Sequence, residues 1–212
     1  TAFPDYARYA DLIRPLEAKY AYNLEKARSV VKTEMEAMGA TLSADGKWTF
    51  NGKPVVLIGL IRSEDERQEI GNYFSDQLEA IGFTVDRQVR TRTELAPIWQ
   101  QSDPTEGQWH FYTGGNYYPV MRRNDASAFA ETYTSLTAST TAEEAFNPSP
   151  ELLQVAQDLL NNNYSSMEER RELFAKALVL GLENSQYIQV LSTYSFFPRK
   201  ANLEVASDLS SG

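Results

Sequence analysis

The sequence predicts an α/β fold, a mixed and mostly parallel sheet flanked by helices, and three observations within residues 52–89 carry that reading. Val55-Val56-Leu57-Ile58-Gly59-Leu60-Ile61 is an apolar run without polar alternation, the pattern of a strand covered on both faces. Ile70, Phe74, Leu78 and Ile81 then recur at steps of four, four and three, which lays one apolar stripe along a helix. Phe83-Thr84-Val85-Asp86 resumes an extended pattern, so strand, helix and strand follow one another as a right-handed crossover onto a parallel neighbour requires. Sheets of this class bind ligands beyond the carboxyl ends of their strands, which directs attention to Arg62 and to whatever follows the next strands.

The remaining elements follow in order. Phe3 to Leu16 reads as a short helix, rich in Tyr and Ala and ended near Pro15. Leu24, Ala27, Val31, Met35 and Met38 share a helical stripe that Gly39 closes. Asp45-Gly46 and Asn51-Gly52 are turn dipeptides, and Trp48 and Phe50 alternate between them, so a small hairpin precedes the first buried strand. Ser63 and Glu66 have the spacing of a capping box, and Gly82 stands where a left-handed residue ends the helix that follows. Thr93 caps a helix running to about Gln101, which Asp103-Pro104 breaks.

Trp109 to Tyr112 is extended and runs into Gly114-Gly115. Asp125 to Leu136 is a weak helix, and the small polar residues 137–148 read as a surface loop. Ser149-Pro150-Glu151 opens a helix with a cap and a first-turn proline, and Leu152, Val155 and Leu159 follow on one face. Ser166 and Glu169 make a second capping box for a helix to about Glu183. Tyr187 to Tyr194 is the last expected strand, and the polar tail after Pro198 is loose. Without internal repeats or a long linker, a single lobe is expected over 1–212: a helical lead-in (1–40), a hairpin (41–52), an α/β core (53–200) and a tail (201–212).

Composition narrows the functional classes. A formal charge of −9 disfavours nucleic acid as a partner, because phosphate binding needs clustered Lys and Arg. Arg87, Arg90 and Arg92 alternate loosely and read as a solvated strand edge. With no cysteine, a disulfide framework and a thiolate zinc site are excluded. No apolar run approaches the ~20 residues that span a bilayer. No signal-peptide pattern is present, and a chain opening on Thr1 leaves export unread at this terminus.

Catalytic motifs are missing. There is no P-loop, no Gly-x-Gly-x-x-Gly after a strand and no Gly-x-Ser-x-Gly elbow. The single histidine, His110, lies within the extended WHFY segment and reads as structural. The carboxylate pairs Asp65/Glu66, Glu143/Glu144 and Glu168/Glu169 fall at helix starts or in loops, where they complement helix dipoles. No catalytic residue, metal site or cofactor is expected. The unusual concentration is aromatic: Trp99, Trp109, Phe111, Tyr112, Tyr117 and Tyr118 surround Thr113-Gly114-Gly115-Asn116. Trp109 and Phe111, two apart on a strand, are expected beneath the sheet. For Asn116, Tyr117 and Tyr118, beyond the strand end, ligand contact and surface packing both remain open. Arg62, also past a strand end, can meet an anionic ligand, a partner lobe or a local capping group.

Several segments, taken in order, resemble a known family. Tyr22-Asn23-Leu24-Glu25-Lys26-Ala27 with Met38-Gly39, Asp45-Gly46-Lys47-Trp48 with Gly52-Lys53-Pro54-Val55, and Leu78-Glu79-Ala80-Ile81-Gly82-Phe83-Thr84-Val85 are similar to a helix, turn and strand-entry series in that family. Trp109-His110-Phe111-Tyr112-Thr113-Gly114-Gly115 and Glu168-Glu169-Arg170-Arg171-Glu172-Leu173 extend the resemblance over roughly residues 20–200. The family is the bacterial extracellular solute-binding proteins of the peptide/nickel class (family 5), which serve ABC importers, and the chain resembles their C-terminal lobe. Many relatives carry Trp where this chain has Asn116, and many have proline where it has Ser185-Gln186.

The resemblance implies one lobe of a type II periplasmic-binding-protein-like fold. It also implies a non-enzymatic protein that buries a peptide or oligosaccharide by closure of two lobes. Arg62, Gly115, Asn116, Tyr117 and Tyr118 are the substrate-binding residues on that reading. The implied partners are the missing N-terminal lobe and an ABC permease, in the periplasm or outside the cell, with a lipid anchor in the full-length protein. A free-standing α/β hydrolase or transferase, or a ligand-sensing interaction domain, are the alternatives.

Overall fold

The computed structural model describes residues 8–115 and 126–191, with Pro198, Lys200 and Asn202. These residues cluster into two compact units. One takes Ala21–Gly115 and Ser139–Ala145; the other is built from the described parts of Thr1–Tyr20, Asn116–Ala138 and Phe146–Gly212.

The first unit is organised around strand β4, Val56–Arg62. Helix α2 (Leu24–Ala37) leads in, with Asn23 accepting from the Lys26 N–H as its cap and Gly39 at φ 87° behind it. Three short strands, β1 (Thr41–Leu42), β2 (Trp48–Phe50) and β3 (Lys53–Pro54), then form an antiparallel sheet, one strand more than the expected hairpin. Asn51 and Gly52, at φ 52° and 74°, make the tight turn between β2 and β3. Trp48, fully buried, fills a small core with Met35 and Ala40, and its indole N–H donates to the Ile81 carbonyl at 3.0 Å.

Helix α3 (Arg67–Ala80) connects β4 to β5 (Thr84–Arg90), and the two strands pair in parallel over all seven residues. Gly82, at φ 103°, makes the expected left-handed exit from α3. Helix α4 (Arg92–Gln101) and a 3-10 turn (Pro104–Glu106) lead to β6 (Phe111–Tyr112), which pairs in parallel with the other side of β4. The strand order is therefore β5-β4-β6. Helices α3 and α4 both pack on β4. Leu60 and Ile61 are sealed from solvent there, and Gly71 of α3 sits directly against Ile61. Phe111 packs edge-on to Phe74 at 5.1 Å and lies over Gly59, beneath the sheet as its alternation predicts.

The second unit is helical: α1 (Ala10–Lys19), α5 (Ser127–Tyr133), α7 (Pro150–Leu160) and α8 (Met167–Glu183). Leu152, Val155 and Leu159 are buried on one face of α7, as their spacing predicts, and Ser149 caps the helix by accepting from the Leu152 N–H. Tyr9 stacks on Phe174 at 4.3 Å, and its hydroxyl accepts from the buried Arg170 at 2.6 Å.

Several expectations are corrected. Of the helix expected over Phe3–Leu16, residues 3–7 lie outside the described residues; within the described ones a helix runs from Ala10 to Lys19 with Pro15 inside it, because Leu12 and Ile13 are held on the core and outweigh the lost N–H. The Ser63/Glu66 capping box does not form. Ser63 is still a rung of the ladder, donating to the Arg90 carbonyl, and Asp65 meets the helix start by accepting from the Arg67 N–H at 3.1 Å. Thr91, not Thr93, caps α4, in a reciprocal pair with Glu94. Ser166 caps α8, but the Glu169 carboxylate reaches Ser165 rather than Ser166.

The stretch 137–148 contains a helix, α6 (Thr141–Ala145), nucleated by Thr140 and Glu143 at capping-box spacing. Residues 187–191 are not a strand: no ladder partner meets them among the described residues, and Ile188, Val190 and Leu191 are exposed. Residues 192–194 of that expected strand lie outside the described residues.

A Cβ built on Gly59 falls 2.2 Å from the Phe111 ring, so Gly59→Ala must displace that ring from under the sheet. We expect a loss of about 1–3 kcal/mol, read as a lowered urea midpoint with an unchanged slope.

Candidate functional site

Parallel pairing makes the three strands of the β5-β4-β6 sheet end at one edge. Arg62 closes β4, Arg90 closes β5 opposite it, and Thr113-Gly114-Gly115 follows β6. The buried Thr113 ties the edge together: its hydroxyl accepts the Arg62 N–H at 2.9 Å, and its own N–H donates to the Leu60 carbonyl.

Charged groups converge just beyond. The Arg62 side chain is only 14% exposed; its Nε donates to Glu64 Oε2 at 3.1 Å, and its Nη2 lies 3.6 Å from Asp65 Oδ2. Glu64 also accepts the Arg92 N–H at 2.7 Å, joining the end of β4 to the start of α4. Asp65 is gripped by Arg67 as a fork, Nε to Oδ1 at 2.8 Å and Nη2 to Oδ2 at 2.6 Å. That hydrogen bonding from Arg67 holds the Asp65 carboxyl at about 2, well below its ordinary value. Glu64 is lowered as well, chiefly by the Arg92 N–H.

Tyr112 forms the floor. Its ring stacks on Trp99 at 4.7 Å, and the indole N–H of Trp99 is buried with no hydrogen-bond partner among the described residues. Burial raises the Tyr112 phenol, while Arg62, Arg67 and Arg92 oppose that rise. Gly114 lies along the Tyr112 ring, and Gly115 lies against Arg67 Nη1; both glycines are exposed.

Among the expected binding residues, Arg62 and Gly115 therefore share this edge, although Arg62 is already engaged by two carboxylates. Asn116, Tyr117 and Tyr118 lie outside the described residues. Arg67, Tyr112 and Trp99 complete the edge, and spacing alone did not single out Arg67. Of the loose arginine trio, Arg87 is held by Asp76 and Glu79, while Arg90 and Arg92 are exposed. His110 is structural: its Nδ1 accepts the Ile58 N–H at 2.9 Å and its backbone N–H donates to the Ile58 carbonyl. Among the described residues, no three His, Asp or Glu side chains converge as a metal site, and no helix is long and apolar enough to cross a membrane.

No family model matches the sequence, and no curated protein matches it. Solved structures do. NikZ from Campylobacter jejuni, in complex with Ni(L-His), superposes at a TM-score of 0.58 with 16% identity, over 78% of this chain and 31% of that one. A nickel ABC transporter protein from Bacillus halodurans superposes at 0.53 with 19% identity, over 74% of this chain and 30% of that one. The chain thus spans about a third of the length of these neighbours, and the likeness shows a shared fold over that part of them, a parallel α/β sheet flanked by helices.

The Asp65–Arg67 fork generates a pH signature. A carboxyl held near 2 in the folded chain and near its ordinary value when unfolded stabilises the fold above about pH 4. That contribution is lost as pH falls toward 2. We expect Asp65→Asn to cost about 1–2 kcal/mol at pH 7, allowing for solvent screening, and the gap in urea midpoint between parent and variant to close between pH 4 and pH 2. A gap independent of pH contradicts the assignment.

Proposed function

We propose that this chain is a lobe of the solute-binding protein of an ABC importer, a non-enzymatic module that holds its solute by closing against a second lobe. One observation carries the reading: a parallel sheet with the fold of nickel-transport binding proteins ends in an edge where bare glycine backbone, an aromatic floor and arginine donors meet. That edge is where open α/β sheets take ligands. Arg62 and Gly115, with Asn116, Tyr117 and Tyr118 after them, are the proposed contacts. Peptides and oligosaccharides are the proposed solutes, because stacking faces with a few hydrogen bonds suit both. A metal chelate is a further candidate, since the C. jejuni neighbour was solved with Ni(L-His). The proposed partners are the other lobe and a permease, at a periplasmic or extracellular location with a lipid anchor.

A lobe alone offers half of the contacts and does not exclude water from them. Calorimetry of the 212-residue chain against peptides, oligosaccharides and Ni(L-His) is therefore expected to show binding weaker than micromolar, and the full-length parent to bind at least one of them about a hundredfold more tightly. Micromolar binding by the chain alone contradicts the half-site reading.

A further inference from the structure

Strand β6 is only Phe111–Tyr112, yet Tyr112 and the Thr113-Gly114-Gly115 segment after it form one corner of the sheet edge. Two side chains fasten it to β4, one at each end, where backbone carbonyls would serve in a longer strand. At the far end the Thr113 hydroxyl accepts the Arg62 N–H at 2.9 Å. At the near end His110 Nδ1 accepts the Ile58 N–H at 2.9 Å, and the His110 backbone N–H donates to the Ile58 carbonyl at 2.8 Å. The chain reaches this point from the 3-10 turn at Pro104–Glu106, so the ladder with β4 starts only at Phe111, and the imidazole supplies the rung before it.

That rung fixes the proton of the ring. A backbone N–H only donates, so Nδ1 presents a lone pair and the proton of the neutral ring sits on Nε2. His110 is exposed, so solvent protons reach it. A second proton has to enter at Nδ1, where it would meet the Ile58 N–H donor against donor. The Thr113 rung has no such weakness, because a hydroxyl oxygen keeps its lone pairs.

The charged groups around this rung are engaged elsewhere. Along β4, Arg62 is held by Glu64 and Asp65; opposite Ile58 on β5, Asp86 accepts from Gln88. On α3, Arg67 holds Asp65, Asp76 and Glu79 hold Arg87, and Glu66 and Glu69 are exposed. At the start of α4, Glu94 closes the Thr91 cap and Arg92 gives its N–H to Glu64. Before β6, Asp103 and Glu106 accept from Thr105 and Gln108. Among the described residues the Ile58 N–H is the one hydrogen-bond partner of the ring.

We propose that His110 is a proton-sensitive staple: with Nδ1 unprotonated it anchors the start of β6, and protonation releases it and loosens the segment from Tyr112 to Gly115. The staple belongs to the fold and stands apart from the solute-binding reading. The folded chain uses the neutral ring, whereas the unfolded chain takes up a proton without losing a rung. The contribution of the staple is therefore present at pH 8 and lost as pH falls to about 5, the range in which imidazoles titrate.

The test is NMR of the isotope-labelled 212-residue chain at constant ionic strength, with the ring nitrogens and amide hydrogen exchange followed between pH 8 and pH 5. At pH 8 the single histidine is expected to report the Nε2–H tautomer. On acidification the protection factor of the Ile58 amide is expected to fall about tenfold. The Tyr112, Thr113, Gly114 and Gly115 amides are expected to shift along the titration curve of the ring, while the Thr84 amide, bonded to the Val55 carbonyl on the other side of β4, keeps its protection. His110→Asn, whose side-chain carbonyl can accept the same N–H without titrating, is expected to retain the protection at pH 8 and to lose its pH dependence. His110→Ala is expected to show at pH 8 the low protection that the parent shows at pH 5.

An Nδ1–H tautomer, or an Ile58 protection factor equal at pH 8 and pH 5, overturns the staple on the parent chain alone, whether or not the variants fold. A pH dependence that persists in His110→Asn overturns it as well and assigns the change to another titrating group.

Discussion

The edge depends on the register of β4. Its seven residues pair with β5 along their whole length, and Gly59 and Leu60 pair with Phe111 and Tyr112 on the other side. Because both neighbours run parallel to it, all three chains leave the sheet on one side, and their last residues are brought together without any long loop. The tie between the Thr113 hydroxyl and the Arg62 N–H extends that ladder by one unconventional rung. A one-residue slip of β6 would turn Phe111 out from over Gly59 and carry Tyr112 away from Trp99. The packing of Phe111 against a glycine too small to compete for the same space makes that slip costly.

The ionic groups at the edge separate by how completely each is satisfied. Arg87, on the edge strand, is held by two carboxylates of α3 and serves to clamp helix to strand. Arg62 is almost as fully engaged and mostly buried, and it links β4 through Glu64 to the start of α4. Arg67 differs because its fork is satisfied on one side only, and the open side meets backbone instead of a side chain. An acidic chain therefore keeps donors at one sheet edge without exposing an uncompensated basic patch. Local carboxylates offset the charge of the cluster while leaving hydrogen-bonding capacity in place.

Much of this was legible in the sequence where signal and structure are both local. The apolar run of β4, the stripe of α3, the left-handed Gly82 and the Ser149-Pro150 start each depend on neighbours within one or two turns, and each is found. The misreadings arise where a long-range partner decides. Ser63 has the spacing of a cap, but the Arg90 carbonyl claims its N–H for the sheet. Tyr187 to Leu191 alternate like a strand but meet no ladder partner among the described residues.

The two missed caps had a sequence signal, since Thr91/Glu94 and Thr140/Glu143 both carry the three-residue spacing. Of the candidate site, Arg62 and the Gly-Gly pair were legible from their places after strands. Arg67 was not, because a charged residue in a helix's first turn ordinarily reads as solvated. Only the crossover topology brings it against Gly115, which follows it by forty-eight residues.

The value of such an edge depends on how much water it keeps. In this chain alone, Gly114 and Gly115 are exposed, and any group hydrogen-bonded at this edge competes with solvent at nearly bulk dielectric. A charge pair at 4 Å is worth about 1 kcal/mol there and about 4 kcal/mol at the effective dielectric of a protein surface. Covering the edge with a second body therefore multiplies contacts already present, without adding a new group to this lobe. The same covering would penalise a solute that leaves a donor of the edge unmatched, because a buried donor without a partner costs about 1–3 kcal/mol. The proposed closure would therefore act on affinity and selectivity together.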